Sequence, residues 1–206
     1  MTRLHLDAVD EILASIVKGR YAPGALLPKE TSLVAEFNMS RGTVREALRA
    51  LEERGVVRVT HGRGARVQPP EEWKVLDPNV AAALARGRNR RAFLGEVQFY
   101  RLLLESEAAV LAAARASDAQ RAELRVRATD LEADDDPVRS VQRLRRLVTV
   151  ASGNRPLAAT LRGLDESIEP KLGSGAVDSC RRLALAVADG DPDAARDAAR
   201  DLNSDG

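Results

Sequence analysis

The sequence predicts a mainly α-helical protein, and its length and composition lead to this fold class. The chain has 206 residues, which leaves room for one large domain or two small ones. Alanine, leucine and arginine dominate it and favour helices, while aromatic residues reach only 3%, which argues against β-sandwiches and barrels. Apolar residues make up 44% and charged residues 31%, so we expect a folded core beneath a heavily charged surface.

The first third of the chain has a net positive charge, with 11 Lys and Arg against 8 Asp and Glu in residues 1–70, although the net charge of the whole is only +1. Residues 40–66 hold seven arginines against three glutamates. A single cysteine, Cys180, and two histidines cannot supply an internal disulfide or a histidine-rich metal site. There is no secretory leader and no apolar run of the roughly 18 residues that a membrane span needs, so we expect a cytoplasmic protein with no membrane partner.

Three helices open the chain. The first follows apolar positions spaced three and four residues apart over 6–17 and stops at a glycine. A turn and an extended pair lead to a short helix over 29–37. Ser40 is a good N-cap for a third helix, at about 41–54, and Gly55 is the expected stop.

After Gly55 the spacing of apolar residues changes from a helical period to a period of two residues, which predicts a β-hairpin. Valines alternate with polar residues over 57–60, so both valines are expected on the buried side of a half-buried strand. Residues 61–64 form a basic turn, and residues 65–68 form the second strand of the hairpin. Two prolines end the strand and begin a linker at 69–77, so the first domain covers residues 1–68.

Everything beyond the linker reads as helix, in a second domain at 78–206. A capping box at Ser117-x-x-Gln120, prolines near N-termini and Gly190 as a stop mark the boundaries. The predicted helices are 78–87, 90–116, 117–131, 136–152, 155–168, 176–189 and 191–203. The acidic run 134–136 is interpreted as a solvated loop or helix N-terminus.

The third helix carries a row of cations. Arg41, Arg45 and Arg49 are four residues apart and share the face opposite its apolar stripe. Guanidinium groups in such a row can contact guanine O6 and N7 in pairs or bind phosphates. Gly42 and Thr43 lie in the first turn, where free backbone N–H groups suit a phosphate oxygen.

A solvated helix face, with Arg49 paired to Glu53, is the alternative interpretation of this row. The hairpin favours nucleic acid, because its tip contains His61, Gly62 and Arg63 and is basic, small and flexible. Such a tip can enter the minor groove beside the helix. The two features together predict double-stranded DNA as the partner.

The run from Leu27 to Val67 resembles the winged helix-turn-helix domain of GntR-family bacterial transcription regulators, in its "LPxE", "SRxTVREAL" and "GxGxxV" elements. The resemblance implies sequence-specific operator binding. It implies DNA contacts by Ser40, Arg41, Gly42, Thr43, Arg45, His61 and Gly62, to which geometry adds Arg49 and Arg63. Thr31 departs from the pattern, since many members have an arginine there.

The helical half resembles the FadR subfamily, whose FCD-type C-terminal domain usually binds a small acid. The segments "PEEWKVLDPNVAAAL" and "EVQFYRLLLESEAAVLAAARAS" carry this resemblance. It implies a homodimer and an effector that is a small organic or sugar acid. Many such domains hold a metal with one Asp and three His. Val141, Arg145, Cys180 and Leu202 stand at those positions, so no metal or cofactor is expected.

Arg145 is a candidate effector ligand, because its guanidinium could hold a carboxylate where a metal otherwise would, with Arg101 as its helper. The alternatives are that Arg145 pairs with Glu105 or faces solvent, and that Arg101 pairs with Glu105 four residues on. Cys180 is interpreted as a small core residue rather than a redox sensor.

The sequence therefore predicts a dimeric bacterial transcription regulator, more a repressor than an activator, that binds a palindromic operator. It is not expected to be an enzyme, because the helical half has no histidine and the chain lacks a nucleophile-plus-base motif. One alternative is a DNA-binding regulator with a degenerate ligand site, constitutive or controlled by a protein partner. Another is a metabolite-binding protein without a DNA role.

Overall fold

The computed structural model describes residues 3–131, 136–168, 173 and 175–204 of the chain. Within these ranges the protein has ten α-helices and one two-stranded antiparallel hairpin, which confirms the mainly α fold class. The chain separates into two compact units, Met1–Phe93 and Leu94–Gly206. No helix in the described ranges is long and apolar enough to cross a membrane.

The first unit contains the three predicted helices, the hairpin and one further helix. Its elements are α1 (Arg3–Val17), α2 (Glu30–Phe37), α3 (Arg41–Glu53), β1 (Val57–Thr60), β2 (Gly64–Val67), a 3-10 turn (Pro70–Glu72) and α4 (Pro78–Leu84). Helix α1 packs against both α3 and α4. Their buried side chains, including Leu13, Leu51 and Val80, form one core. The 3-10 turn in the linker was not predicted.

The predicted burial of the hairpin is wrong at one position. Val57 pairs with Val67 and Thr60 with Gly64 in the antiparallel register, and Val57 is buried as expected. Val59 is 39% exposed instead. The cross-strand partner of Val59, Ala65, is buried, and its carbonyl oxygen accepts the N–H of Leu27 at 2.8 Å. Tertiary packing therefore covers β2 at this level of the hairpin and leaves Val59 of β1 exposed.

The end of α3 depends on a close backbone approach at Gly55. This residue has a φ of 72°, and a Cβ placed there would lie 2.1 Å from the carbonyl oxygen of Glu72. The indole N–H of Trp73 donates to the carbonyl oxygen of Gln68 at 2.9 Å, and Arg54 Nε donates to Asp77 Oδ1 at 3.0 Å. The linker therefore packs on the first unit, and residues 78–93 group with that unit as well. The predicted domain limits of 1–68, 69–77 and 78–206 remain a prediction.

The second unit is a helical bundle. Its elements are α5 (Arg90–Arg115), whose first four residues belong to the first unit, α6 (Asp118–Asp130), α7 (Pro137–Ala151), α8 (Arg155–Ser167), α9 (Ala176–Asp189) and α10 (Pro192–Ser204). Helix α9 packs against α6, α7 and α10. Alanines such as Ala109, Ala184 and Ala195 are fully buried and let these helices approach closely.

The local boundary signals in this half act as predicted. Ser117 Oγ accepts the backbone N–H of Gln120, whose side chain accepts the backbone N–H of Ser117, so the capping box is formed. Gly190 ends α9 with a φ of 75°. Asp136 caps α7 by accepting the backbone N–H of Arg139, while residues 134 and 135 of the acidic run lie outside the described residues.

Candidate nucleic-acid interface and buried charge network

Helix α3 is amphipathic, and its cap fixes where its cationic face begins. Ser40 Oγ accepts the backbone N–H of Thr43 at 3.1 Å and lies 2.8 Å from Thr43 Oγ1. The first backbone N–H groups of a helix have no intrahelical partner, so those beyond the cap remain available to an anion. Gly42 adds no side chain over this first turn.

The two faces of α3 separate as the sequence predicts. Buried residues form the inner face, namely Val44, Ala47, Leu48, Ala50 and Leu51. Arg41, Arg45 and Arg49 are all exposed on the opposite side. The structure thus presents three guanidinium groups along one exposed helix face, and their contact with DNA remains a prediction.

Two of these arginines have carboxylate partners. Arg45 Nε donates to Glu30 Oε2 at 3.0 Å, and the two side chains are 71% and 41% exposed. Arg49 Nη1 lies 3.6 Å from Glu46 Oε1, so the alternative that paired it with Glu53 named the wrong glutamate. Arg41 has no ion pair within the described ranges.

Glu30 was not predicted as the partner of Arg45, although it belongs to a motif of the sequence. It is the first residue of α2 and the glutamate of the "LPxE" element. Its carboxylate bonds only to Nε of Arg45, so the two terminal Nη groups of that guanidinium keep their donors. Glu30 therefore holds one edge of the Arg45 guanidinium in the structure.

The hairpin tip is exposed, as predicted. His61, Gly62 and Arg63 all lie in the turn between β1 and β2, where Arg63 N donates to the carbonyl oxygen of Thr60 at 2.9 Å. Gly62 has a φ of 73°, and a Cβ added there would meet no atom within 4 Å. Glycine is thus required there by backbone conformation rather than by lack of space.

The two candidate effector arginines lie in one buried network in the second unit. Arg101 is 2% exposed, donates to Asp165 and lies 3.7 Å from Glu105 Oε1. Arg145 is 8% exposed and donates from Nη2 to Glu105 Oε1 at 2.5 Å and to Asn203 Oδ1 at 3.3 Å. Asn203 completes the network by donating to Glu105 Oε2 at 2.9 Å.

This network contains the pairs Arg101–Glu105 and Arg145–Glu105, which were predicted as the alternatives to effector binding. Two guanidinium groups face two carboxylates, so the buried charges balance. Asp165 and Asn203 were missed, because each is 58 or more residues away from its arginine partner and no local spacing joins them. The effector role of Arg101 and Arg145 remains a prediction.

A small cavity lies beside the network, between α7 and α8. It has a volume of about 140 Å³ and is lined by both carboxylates, Arg145, Arg146 and Arg162 among others. Arg146 and Arg162 are exposed and have no ion pair in the part of the chain that the structure describes. A water takes up about 30 Å³ of liquid, so the cavity has room for a small organic anion.

The residues at the positions of the family's metal ligands do not fit a metal ion. Val141 and Leu202 have no donor atom and Arg145 carries a positive charge. Burial raises the pKa of the Cys180 thiol to about 12, with Arg145 opposing the rise and Glu105 adding to it, so the thiolate that would bind a metal is absent at neutral pH. No group of three His, Cys, Asp or Glu that could hold a metal ion occurs among the residues described.

The fold and the exposed α3 face define a winged helix-turn-helix protein with a helical second unit. Residues 4–67 match the profile "Bacterial regulatory proteins, gntR family", and residues 96–204 match the profile "FCD domain". The chain therefore belongs to the GntR family of bacterial regulatory proteins, and its FCD domain agrees with the FadR subfamily.

Similar proteins agree with this assignment. The chain is 33% identical over 115 residues to the uncharacterized HTH-type transcriptional regulator YieP of Escherichia coli K12, covering 56% of this chain and 50% of that protein. It is 32% identical over 123 residues to the galactonate operon transcriptional repressor of the same strain, covering 58% and 54%. The chain spans about half the length of these relatives. A solved Streptococcus agalactiae GntR structure is 25% identical, with a TM-score of 0.52, and the match covers 97% of this chain and 96% of that one.

Proposed function

We propose that this protein is a sequence-specific DNA-binding transcription regulator that represses its target genes. The observation that carries this proposal is the exposed row of Arg41, Arg45 and Arg49 on a helix that is capped at its N-terminus and buried on its other side. Such a helix can enter the major groove with its N-terminal residues against the bases. The name of one relative, a galactonate operon repressor, supports repression.

Base recognition is assigned chiefly to Arg45. Its Nε is engaged by Glu30, so its two Nη groups keep a pair of donors, as guanine O6 and N7 require. Ser40, Gly42 and Thr43 surround the helix N-terminus and are assigned to a phosphate. Arg41 and Arg49 lie one turn to either side, where they contact bases or the flanking backbone.

The hairpin tip is assigned to the minor groove beside this helix. His61 and Arg63 carry the groups that a narrow groove attracts, and Gly62 lets the backbone approach closely. Because one winged helix reads only a few base pairs, we propose that a homodimer binds a near-palindromic operator. Its half-sites would lie about 34 Å apart or at a multiple of this spacing.

We propose that a small organic or sugar acid releases the protein from DNA. The cavity between α7 and α8 has the volume for such a ligand, and Arg145, Arg146 and Arg162 supply positive charge at its wall. A carboxylate bound there competes with Glu105 for Arg145, and Arg101 holds Glu105 from the other side. An effector changes DNA binding only if it binds the two states of the dimer unequally.

A second candidate function has its own support. Arg101 and Arg145 already carry carboxylate partners, and that favours a regulator whose ligand site is degenerate and which is constitutive or controlled by a protein partner. A thermal-shift series with sugar acids separates the two candidates. A rise in melting temperature that depends on Arg145 supports the effector, and no rise with any acid supports the second candidate.

Neither candidate is an enzyme. Among the described residues the cavity presents arginines, carboxylates and a threonine, with no nucleophile beside a base. We place the protein in the cytoplasm, where the chromosome lies. A metabolite-binding protein without a DNA role is the remaining possibility, and it predicts thermal shifts with acids together with no DNA selection.

The test compares the full chain with Arg45→Ala on DNA fragments that the wild-type chain retains from a genomic library. Loss of a guanine contact costs about 1–3 kcal/mol, which is a fall in affinity of about 5- to 150-fold. Arg143→Ala is the matched control, because Arg143 is exposed on α7 and has no ion pair within the described ranges. Fluorescence anisotropy is expected to show the loss only in Arg45→Ala. Equal affinities of both variants and wild type would overturn the proposal.

A further inference from the structure

A second cationic surface lies in the first unit, away from the residues assigned above. It joins the end of α1 to the connection between α4 and α5. We call it the junction surface, and its exposed cations are Lys18, Arg20, Arg86, Arg88, Arg90 and Arg91. Four of these six cations lie within residues 86–91, the densest run of cations in the sequence.

The backbone holds the two segments of the junction surface together. The N–H of Arg88 donates to the carbonyl oxygen of Val17 at 3.1 Å. Gly87 permits this approach, because a Cβ added there would lie 3.2 Å from both Cβ and the carbonyl oxygen of Val17. The guanidinium of Arg88 extends across Gly19, where an added Cβ would lie 3.7 Å from its Nη1. Arg88 is thereby placed beside Lys18 and Arg20.

The charges of the junction surface are almost uncompensated. Arg20 pairs with Glu36 at 2.5 Å. The other five cations have no ion pair in the ranges that the structure describes. Like charges held this close repel one another, and an anionic partner relieves that repulsion. The chain as a whole has nearly equal numbers of cations and anions, so the excess of cations on this surface is local.

The junction surface begins close to the recognition face. Glu36, which pairs with Arg20, follows Glu30 by six residues along α2, a rise of about 9 Å. Glu30 in turn bonds to Arg45. The major groove is about 12 Å wide with a phosphate strand along each edge, so a cation about one groove width from a base-reading arginine lies near the flanking backbone.

We propose that the junction surface binds the phosphate backbone of the duplex beside the sequence that α3 reads; this inference rests on the proposed function. Two of the three arginines on α3 are partly neutralised by Glu30 and Glu46, so further cations are needed to neutralise the DNA. Arginine side chains bind phosphate oxygens in pairs and carry no base information. The surface therefore adds affinity for any duplex without adding base preference.

The test removes three of these charges by Arg88→Gln, Arg90→Gln and Arg91→Gln in the full chain. The matched control is Arg139→Gln, Arg143→Gln and Arg155→Gln, which removes three exposed arginines from α7 and α8. Anisotropy is measured on a duplex that the wild type selects and on a scrambled duplex, between about 50 and 200 mM salt. Each lost phosphate contact reduces the magnitude of the slope of log affinity against log salt concentration by about 0.9. The slope of the triple variant is therefore expected to be about 2 to 3 smaller in magnitude than that of the wild type.

The affinities of the triple variant for both duplexes are expected to fall by the same factor, about tenfold or more, and its base preference stays that of the wild type. If Arg88→Gln lowers the melting temperature, the double variant Arg90→Gln and Arg91→Gln replaces the triple variant in the test. The magnitude of its slope is expected to be about 1 to 2 smaller than that of the wild type.

Three results would overturn the inference while leaving the proposed function intact. One is a slope equal to that of the control variant. Another is a loss of affinity for the selected duplex alone, which assigns base readout to this surface. The third is unchanged DNA binding together with lost binding to vesicles of anionic phospholipid, which assigns a membrane surface. A wild-type chain that selects no duplex overturns the proposed function and this inference with it.

Discussion

At the scale of single residues, the proposed base recognition by α3 depends on the bond between Arg45 and Glu30. The carboxylate holds one edge of the guanidinium and offsets its charge, so the arginine is oriented for a base and weakened as a phosphate ligand. An exposed ion pair contributes little to stability, about 0–1 kcal/mol, so we assign this pair to the proposed recognition.

Glu30→Gln is therefore expected to weaken base discrimination and strengthen general DNA binding. The affinity for a scrambled duplex rises by a few-fold, and the preference for the selected duplex falls, because Arg45 becomes free to bind phosphates. Anisotropy on both duplexes measures the two effects. Glu166→Gln, the same exchange at an exposed residue of α8, is the control. An unchanged preference in Glu30→Gln would show that Glu30 has no positioning role.

Cys180 supplies a pH-dependent prediction at the same scale. Burial raises the pKa of its thiol from an ordinary 9.0 to about 12, so in this interval only the unfolded chain ionises its thiol. The associated stability is complete below about pH 9 and is lost as pH rises toward 12, by about 1.4 kcal/mol per unit. Urea denaturation of the wild type is expected to show this loss relative to Cys180→Ala. Parallel pH profiles of the two chains would contradict it.

At the scale of the elements, helix boundaries were predictable because their signals are local. Ser40, Ser117 and Gly190 each act within a few residues of themselves, and the helices and strands begin and end within about three residues of the predicted positions. The exposure of Val59 was not predictable, because it depends on which strand of the hairpin the rest of the first unit covers.

The candidate sites were likewise predictable only where they depend on spacing along one helix. The arginine row of α3 follows from spacing along one helix, and the structure shows it on one exposed face. The partners of that row and of the buried arginines come from other helices. Glu30, Asp165 and Asn203 are 15 to 64 residues away from the arginines they contact, so no local spacing in the sequence pairs them with those arginines.

The end of α9 gives a prediction about a helix terminus. Gly190 has a positive φ, and a Cβ there would lie 2.9 Å from Arg121 Nη1, which donates to the carbonyl oxygens of Val187 and Ala188. Gly190→Ala is expected to lower the free energy of unfolding by about 1–2 kcal/mol. Gly163→Ala, in the open middle of α8, is expected to raise it by about 0.5–1 kcal/mol. Urea denaturation gives both values, and a shift of the same sign in both variants would contradict this explanation.

The buried network gives a second prediction at this scale, because it ties α5 to α7, α8 and α10. Glu105→Ala leaves Arg101 and Arg145 buried with one carboxylate between them. We expect the free energy of unfolding to fall by about 3–5 kcal/mol. Chemical denaturation measures this change, with Glu107→Ala, an exposed neighbour on α5, as the control. A loss below about 1 kcal/mol would show that the network is not a structural link between these helices.

At the scale of the whole molecule, the two compact units divide the proposed work. The first holds the α3 face, the hairpin tip and the junction surface, and so contains all of the proposed DNA contacts. The second contains the buried network and its cavity. In this scheme the alanine-rich core of the second unit supplies a stable bundle, and its few buried charges are the groups through which a small acid would act.

The central claim, that α3 and the hairpin make this chain a sequence-specific DNA reader, is tested most directly by selection from a random duplex pool with the purified full chain. The claim predicts enrichment of one near-palindromic sequence whose half-site centres lie about 10 base pairs, or a multiple of that, apart. A folded wild-type chain that enriches no sequence after repeated rounds would contradict it.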